Sequence, residues 1–226
     1  MSSPAHPPLL RHVAATVHGR VLVRPAPGPG RAPWLVGFHG YAQTAAAFLE
    51  PLARAAPPGW LVASVQALHP FYAGRTNAVV ANWMTREDRE LAIADNIAYV
   101  DAVLDDLERG FGAPTAIVFA GFSQGVAMAY RAGVRGRRRA AAIVATGGDV
   151  PPELRVPGPA DWPRVLAATG ARDEAYAPAR LEQEVEFLRT RSPEVRALVF
   201  EGGHEWSEGV VAAARTLLAG IAGTIG

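Results

Sequence analysis

The chain of 226 residues contains no cysteine and no lysine. The absence of cysteine excludes disulfides, thiol nucleophiles and cysteine metal sites, and it leaves the redox compartment undetermined. The absence of lysine excludes Schiff-base chemistry, Ser-Lys catalysis and a phosphate-binding loop of the GK[ST] type. Composition alone therefore removes several common kinds of catalytic and binding site.

The sequence also has little net charge and no long apolar segment. Its formal net charge is +1 at pH 7, which gives no reason to expect nucleic acid or an anionic membrane surface as a partner. No segment approaches the roughly 20 apolar residues of a membrane span. The N-terminal MSSPAHPPLL lacks the apolar stretch behind a basic start that a secretory signal requires. We therefore expect a soluble, cytoplasmic protein.

Apolar runs with β-branched residues alternate with longer amphipathic segments along most of the chain. This alternation is typical of a mostly parallel sheet with helices on both faces. We expect one doubly wound α/β domain over residues 1–226, with a sheet of about eight strands. The predicted strands comprise a leading antiparallel hairpin within 11–24 and single strands at 34–38, 61–67, 115–120, 141–146, 164–169 and 195–200.

The pentapeptide Gly121-Phe122-Ser123-Gln124-Gly125 matches the pattern GxSxG between a predicted strand and a predicted helix. In that context the turn is so tight that both glycines are needed for close backbone approach. The serine is held in a strained conformation that exposes its hydroxyl above the strand ends. The pattern predicts that Ser123 is a nucleophile. The alternative is a serine that only caps an ordinary helix.

A serine hydroxyl needs a base, and in this architecture the base follows the nucleophile in the chain. Of the six histidines, only His204 comes after Ser123. It stands in Glu201-Gly202-Gly203-His204, directly after the predicted strand 195–200. We therefore expect His204 to be the base.

A third group, a carboxylate, should orient the imidazole and stabilise its charged form. Asp173 follows the predicted strand 164–169 and is the preferred candidate. Asp149 follows the preceding strand and is the main rival, and Glu174 is a lesser one. The sequence leaves this choice open.

The negative oxygen formed by attack on a carbonyl needs fixed N–H donors. One donor is expected from the segment Phe38-His39-Gly40-Tyr41, where the strand 34–38 ends, and the other from the residue after the nucleophile. We expect the backbone amides of Tyr41 and Gln124 to form this oxyanion hole. His39 is expected to pack against its surroundings without a catalytic role.

With residues 38–40, Ser123, Asp173 and His204 in this order and spacing, the chain resembles the α/β-hydrolase superfamily over essentially its full length. Its compact size without a separate cap domain resembles the phospholipase/carboxylesterase group, which includes acyl-protein thioesterases. The resemblance implies a Ser-His-Asp triad that hydrolyses small-molecule carboxylic esters, thioesters or lysophospholipids through an acyl-enzyme. It implies no metal and no cofactor, and the sequence sets no expectation for the oligomeric state.

The segment 68–85 is longer than an ordinary connection and has no clear periodicity, a pattern typical of a functional or disordered loop. Its aromatic residues Phe71 and Trp83 are candidates for an apolar wall that binds the acyl group. Two other functions are considered beside the esterase. One is an amide or peptide hydrolase on the same scaffold, and the other is a non-catalytic binding module.

Overall fold

A seven-stranded sheet forms the centre of the molecule. The computed structural model describes residues 8–28, 30–156 and 161–223. The strands are β1 (Val21–Arg24), β2 (Trp34–Phe38), β3 (Leu61–Val65), β4 (His69–Ala73), β5 (Ala78–Asn82), β6 (Ile117–Phe122), β7 (Ala142–Thr146), β8 (Arg164–Gly170) and β9 (Val195–Phe200). The helices are α1 (Ala45–Ala55), α2 (Arg89–Phe111), α3 (Gln124–Arg135), α4 (Pro178–Arg189) and α5 (Glu208–Ala222).

The strand order in the sheet is β1-β3-β2-β6-β7-β8-β9, and β4 pairs with β5 in a separate two-stranded sheet. The edge strand β1 runs antiparallel to β3, whereas the other neighbouring pairs of the sheet are parallel. The inner strands are almost continuously apolar and buried, as a parallel sheet covered on both faces requires. The predicted α/β architecture is confirmed.

The helices divide between the two faces of the sheet, and an apolar cluster lies under each group. On one face α2, α3 and α4 pack against alternate strand residues such as Trp34, Val36 and Phe38. On the other face α1 and α5 pack against the intervening residues, among them Leu35. This alternation follows from the two-residue period of a strand. None of the helices in the described part of the chain combines the length and apolar character that crossing a membrane requires.

The chain changes direction across the sheet at β2, which has β3 on one side and β6 on the other. The carboxyl ends of β2 and β6 therefore lie side by side, with Phe38 opposite Gly121. In open α/β sheets, ligands bind in the crevice at such a switch point. The loops after β2 and β6 therefore border the crevice in which a ligand is expected to bind.

The expected hairpin within residues 11–24 is wrong, and this accounts for the sheet having seven strands instead of eight. Only the second arm forms a strand, β1, while residues 11–20 form no strand. Val13 and Val17 are 86% and 60% exposed, so the first arm has no apolar face to bury. Residues 1–7, part of the N-terminus examined for a secretory signal, lie outside the described residues.

The segment 68–85, expected to be an irregular loop, contains the antiparallel hairpin formed by β4 and β5. The hairpin was missed because β4 is largely exposed, so its sequence shows no alternation of buried and exposed residues. Backbone hydrogen bonds tie β5 to the loop after β2: Ala42 N donates to Ala81 O at 3.0 Å, and Ala81 N donates to Gln43 O at 3.0 Å. The hairpin therefore borders the crevice at the end of β2.

Helix α3 begins in direct contact with the end of β2. A Cβ atom added to Gly125 would lie 2.0 Å from the carbonyl oxygen of Phe38, and one added to Gly121 would lie 2.4 Å from the carbonyl oxygen of Gly125. Both neighbours are backbone atoms, which cannot rotate away as a side chain could. The two glycines are therefore required by the distance between helix and strand.

We predict that Gly125→Ala lowers the free energy of unfolding by about 3 kcal/mol, because the added methyl group forces α3 away from β2. The matched control is Gly110→Ala in α2, where no atom lies within 4 Å of an added Cβ. This control should stabilise the protein by about 0.5 kcal/mol, since alanine favours the helix. Urea unfolding measures the stability of both variants. Equal free energies of unfolding would contradict the conclusion that the contact between α3 and β2 requires glycine at position 125.

His39, directly after β2, fastens the following loop to the sheet. Its Nε2 atom accepts a hydrogen bond from the Ala67 N–H at 3.1 Å, and Nδ1 donates to the Gly40 carbonyl at 2.7 Å. The bond from Ala67 requires the neutral ring, because Nε2 can accept a hydrogen bond only when it carries no proton. Burial lowers the pKa of His39 below its ordinary value of 6.5, and the bond to Gly40 only partly opposes this shift. His39 therefore has the packing role expected from the sequence.

The lowered pKa of His39 predicts a loss of stability in mild acid. Below about pH 6.5 the unfolded chain binds more protons at this residue than the folded protein does, so the free energy of unfolding falls as the pH falls. The slope contributed by one such group is at most about 1.4 kcal/mol per pH unit. Urea unfolding at pH 7.5 and 5.5 should show a smaller pH dependence in His39→Asn than in the wild type. The exposed His18→Asn should retain the wild-type dependence, and an unchanged dependence in His39→Asn would contradict the prediction.

Candidate active site

Ser123 occupies the tight turn between β6 and α3. Its backbone angles are φ 53° and ψ −119°, a conformation that residues other than glycine rarely adopt. The Ser123 N–H donates to the Thr146 carbonyl at the end of β7, at 2.9 Å, which helps to hold the turn. This strained turn is the geometry expected of a nucleophile elbow, in which the side chain is presented at the carboxyl edge of the sheet.

His204 follows β9 and forms a hydrogen bond with Asp173, which follows β8. The His204 Nδ1 and Asp173 Oδ2 atoms are 2.8 Å apart. With the carboxylate ionised, Nδ1 carries the proton and donates it to this bond, so Nε2 is left with a free lone pair. The His204 ring lies against Phe122, with 5.0 Å between the ring centroids. The imidazole therefore stands beside the residue that precedes Ser123.

Asp173 is fixed from the other side by backbone donors. Its Oδ1 atom accepts hydrogen bonds from the N–H groups of Ala175 at 2.9 Å and Tyr176 at 2.8 Å. The carboxylate is almost completely buried, so these donors and His204 replace the water that would otherwise solvate its charge. Asp173 can therefore hold the imidazole in one orientation and one tautomer.

The two rival acids lie in other environments. Asp149 forms an ion pair with Arg180, and Glu174 is exposed at the surface. Among the three carboxylates weighed from the sequence, Asp173 is the one in contact with His204.

No hydrogen bond joins Ser123 Oγ to His204 Nε2 in the described part of the chain, although a base that takes the serine proton is expected within about 3 Å of it. Hydrogen bonds between catalytic groups are often long in the absence of substrate and shorten when it binds. The structure brings both residues to the carboxyl edge of the sheet, each positioned independently of the other.

The glycine pair after β7 makes room for these groups, a role that the sequence analysis missed. A Cβ atom on Gly147 would lie 2.9 Å from His204 Cε1, and Gly147 also has a φ of 67°. A Cβ atom on Gly148 would lie 2.8 Å from the Ser123 carbonyl oxygen. Two glycines at the carboxyl end of a buried strand were the available signal, since such a position faces the crevice.

The loop after β2 lies next to the elbow. A Cβ atom on Gly40 would be 3.3 Å from Ser123 Cβ, and the Gly40 N–H donates to the Gln43 side chain at 2.9 Å. Among the described residues, the N–H groups of Tyr41 and Gln124 have no hydrogen-bond partner. At Gln124 this follows from its place at the start of a helix, where amides lack an intrahelical acceptor. Both amides expected in the oxyanion hole are thus available.

The aromatic residues proposed for an apolar wall have different environments. Phe71 in β4 is half-buried, and its ring stacks on that of Tyr41 with 5.5 Å between centroids. Trp83 is completely buried in the core, where its indole N–H donates to the His39 carbonyl at 2.8 Å. The expectation that Trp83 lines an open pocket is therefore wrong, because this ring has no surface left for a ligand.

A cavity of about 500 Å³ opens beside Ser123 between α3, α4 and the segment after β7. Neither Phe71 nor Trp83 contributes to it. Its charged lining, which we call the arginine cavity, consists of Arg89, Arg131, Arg155, Arg180, Asp149 and Glu184. The space next to the serine is thus polar, in contrast to the apolar wall expected from the sequence.

Comparison with known proteins places this chain in a family. The phospholipase/carboxylesterase family matches residues 33–220 of the chain. No curated protein sequence matches it. Among solved structures, the esterase PE8 is 23% identical, with a TM-score of 0.69 over 91% of this chain and 100% of that one. Acyl-protein thioesterase 2 of Zea mays is 16% identical, with a TM-score of 0.69 over 92% and 100%. The Bacillus cereus carboxylesterase is 18% identical, with a TM-score of 0.69 over 89% and 94%.

The family match covers most of the chain, and the structural neighbours share its fold along nearly their whole length. The serine turn, the His204–Asp173 pair and the available amides all lie within the matched residues 33–220. The chain belongs to the phospholipase/carboxylesterase family of α/β-hydrolases, and it is a hydrolase of the carboxylesterase type.

Proposed function

We propose that this protein hydrolyses carboxylic esters through a triad of Ser123, His204 and Asp173 and a covalent acyl-enzyme. The observation that carries the proposal is the 2.8 Å hydrogen bond between His204 and the buried Asp173, beside a serine in a strained strand-to-helix turn. A histidine that serves only as a surface residue needs no such buried partner. The same chemistry cleaves thioesters, in which a thiol replaces the alcohol as the leaving group.

In the acylation step, Ser123 Oγ attacks the ester carbonyl carbon while His204 Nε2 takes the hydroxyl proton. The resulting imidazolium is stabilised by the ionised Asp173. As the tetrahedral intermediate collapses, the bond to the leaving oxygen breaks and His204 returns the proton to that oxygen. The alcohol departs, and the acyl group remains as an ester of Ser123.

The negative charge of the tetrahedral intermediate falls on the former carbonyl oxygen. The free N–H groups of Tyr41 and Gln124 are the proposed donors to it, which is consistent with Gly40 lying against Ser123. Fixed donors of this kind stabilise the intermediate without reorganisation during the reaction. Water then attacks the acyl-enzyme, with His204 again acting as base, and releases the acid and the free serine.

We predict that Ser123→Ala abolishes ester hydrolysis, with a loss of at least about 10⁴-fold in kcat, because no acyl-enzyme can form. The readouts are the hydrolysis of p-nitrophenyl esters and labelling by a fluorophosphonate, which reacts with activated serines. The wild type should be labelled and Ser123→Ala should not. The variant should unfold at the wild-type urea concentration within experimental error.

Activity of Ser123→Ala at the wild-type level would refute the proposal, and absence of labelling in the wild type would favour a non-catalytic binding module. Matched p-nitroanilides test the remaining alternative. We expect them to be cleaved far more slowly than the esters. Faster cleavage of the anilides would instead favour an amide hydrolase.

We predict that Asp173→Asn lowers kcat by about 10³- to 10⁴-fold with little change in stability, since an amide can favour the wrong tautomer of His204. The neighbouring exposed residue supplies the control, and Glu174→Gln should retain kcat within about twofold of the wild type. The measurement is steady-state hydrolysis of a neutral p-nitrophenyl ester. Normal turnover by Asp173→Asn, with a large loss in Asp149→Asn, would transfer the role to Asp149.

A further inference from the structure

The arginine cavity is an unusual neighbour for a serine that attacks uncharged esters. Its four arginines come from four places in the chain: the start of α2, the middle of α3, the segment after β7 and α4. Ser123 lines the cavity. When an ester carbonyl lies at Ser123, either the acyl group or the alcohol group of the substrate therefore lies in the cavity or at its rim. The charges that line the cavity therefore bear on which substrate fits.

Two of the arginines share one carboxylate. Arg89 Nη2 lies 2.6 Å from Glu153 Oε2, and Arg131 Nε lies 2.8 Å from Glu153 Oε1. Burial alone would raise the pKa of Glu153, but the hydrogen bonds from Arg89 and Arg131 outweigh it and lower the pKa to about 2. This carboxylate is therefore ionised at neutral pH, and it fixes both guanidinium groups in place.

The other two arginines are each paired with one acid. Arg155 pairs with the buried Glu184 and Arg180 with the half-exposed Asp149. Arg89 also pairs with the exposed Glu90, with 3.1 Å between Nη1 and Oε1. The four guanidinium groups therefore have four carboxylate partners, of which Asp149 and Glu184 line the cavity. Burial raises the pKa of Glu184, and the hydrogen bond from the Val150 N–H and the charge of Arg155 oppose this shift.

Both of these arginines retain unused donors. Within the described residues, Arg155 Nη1 and Arg180 Nε form no hydrogen bond, although a guanidinium group carries five N–H donors. Their side chains are 37% and 53% exposed, so a ligand can reach them. Guanidinium groups with unused N–H donors can hydrogen-bond a carboxylate or a phosphate.

We propose that the arginine cavity binds an anionic group of the substrate, so that the preferred ester carries a carboxylate or phosphate on its acyl or its alcohol side. This inference rests on the proposed function, because it specifies the substrate of that same serine. Ion pairs that merely stabilise a surface do not need to enclose a cavity of about 500 Å³ that opens at a nucleophile. An anion in this space lies among the four arginines and two carboxylates of the lining.

Matched substrate pairs test the proposal. For the acyl side, the mono-p-nitrophenyl ester of adipic acid is compared with p-nitrophenyl hexanoate, which has the same chain length without the carboxylate. For the alcohol side, 4-acetoxybenzoate is compared with 4-acetoxybenzamide, and 4-acetoxyphenyl phosphate tests a phosphate. Rates with Ser123→Ala are subtracted to remove spontaneous hydrolysis.

We expect kcat/KM of the wild type to be at least about fivefold higher for the anionic member of one pair. Arg180→Gln should lower this ratio of anionic to neutral substrate about fivefold, whereas Asp149→Asn should raise it, because the two changes alter the charge of the wall in opposite directions. Arg89→Gln is the second test if Arg180→Gln does not fold. Arg109→Gln, a surface arginine outside the cavity, should leave the ratio unchanged.

A wild-type ratio at or below one for both sides of the ester overturns the inference, as does a ratio that neither Arg180→Gln nor Arg89→Gln changes. Hydrolysis of the neutral esters that depends on Ser123 but shows no preference for anions contradicts this inference alone. Failure of the wild type to hydrolyse any of these esters or to react with the fluorophosphonate contradicts the proposed function, and the inference falls with it.

Discussion

The close contact between helix α3 and the end of strand β2 is the constraint on which the rest of the site depends. The backbone of Gly125 lies against the carbonyl of Phe38 so closely that no side chain fits between them. This contact fixes the start of α3, and therefore the N–H of Gln124, beside the loop that carries Tyr41. It also leaves Ser123 as the single residue that turns the chain from strand to helix, in a conformation that only a well-packed surrounding can maintain.

The parallel sheet brings the other residues of the site to the same edge. Ser123, Asp173 and His204 are widely separated in the chain, yet each follows a strand, and the carboxyl ends of parallel strands share one edge. Each group is then held by its own local contacts. The Thr146 carbonyl accepts from the serine turn, and backbone donors hold Asp173. The three proposed catalytic groups thus need little support from one another to stay in place.

The sequence predicts those parts of the structure that depend on buried strands and on short motifs at the strand ends. The buried strands can be predicted from short apolar runs. The turn at Ser123, Asp173 and His204 could then be singled out because each directly follows a predicted strand. Elements without a buried face were missed or misassigned, as with the hairpin β4–β5 and the exposed residues 11–20. Trp83 was assigned to a pocket because aromatic residues in a loop often bind ligands, whereas its burial depends on Phe38 and the His39 carbonyl, distant in the chain.

The arginine cavity could not be predicted for a more general reason. The catalytic machinery uses local backbone geometry, which a short motif such as GxSxG records in adjacent residues. The proposed anion site uses side chains from α2, α3, α4 and the segment after β7, and their convergence is a property of the tertiary fold alone. Each arginine by itself has the sequence context of an ordinary charged surface residue. The proposal of a binding site depends on the enclosure of four of them around one space at Ser123, where only two carboxylates share the lining.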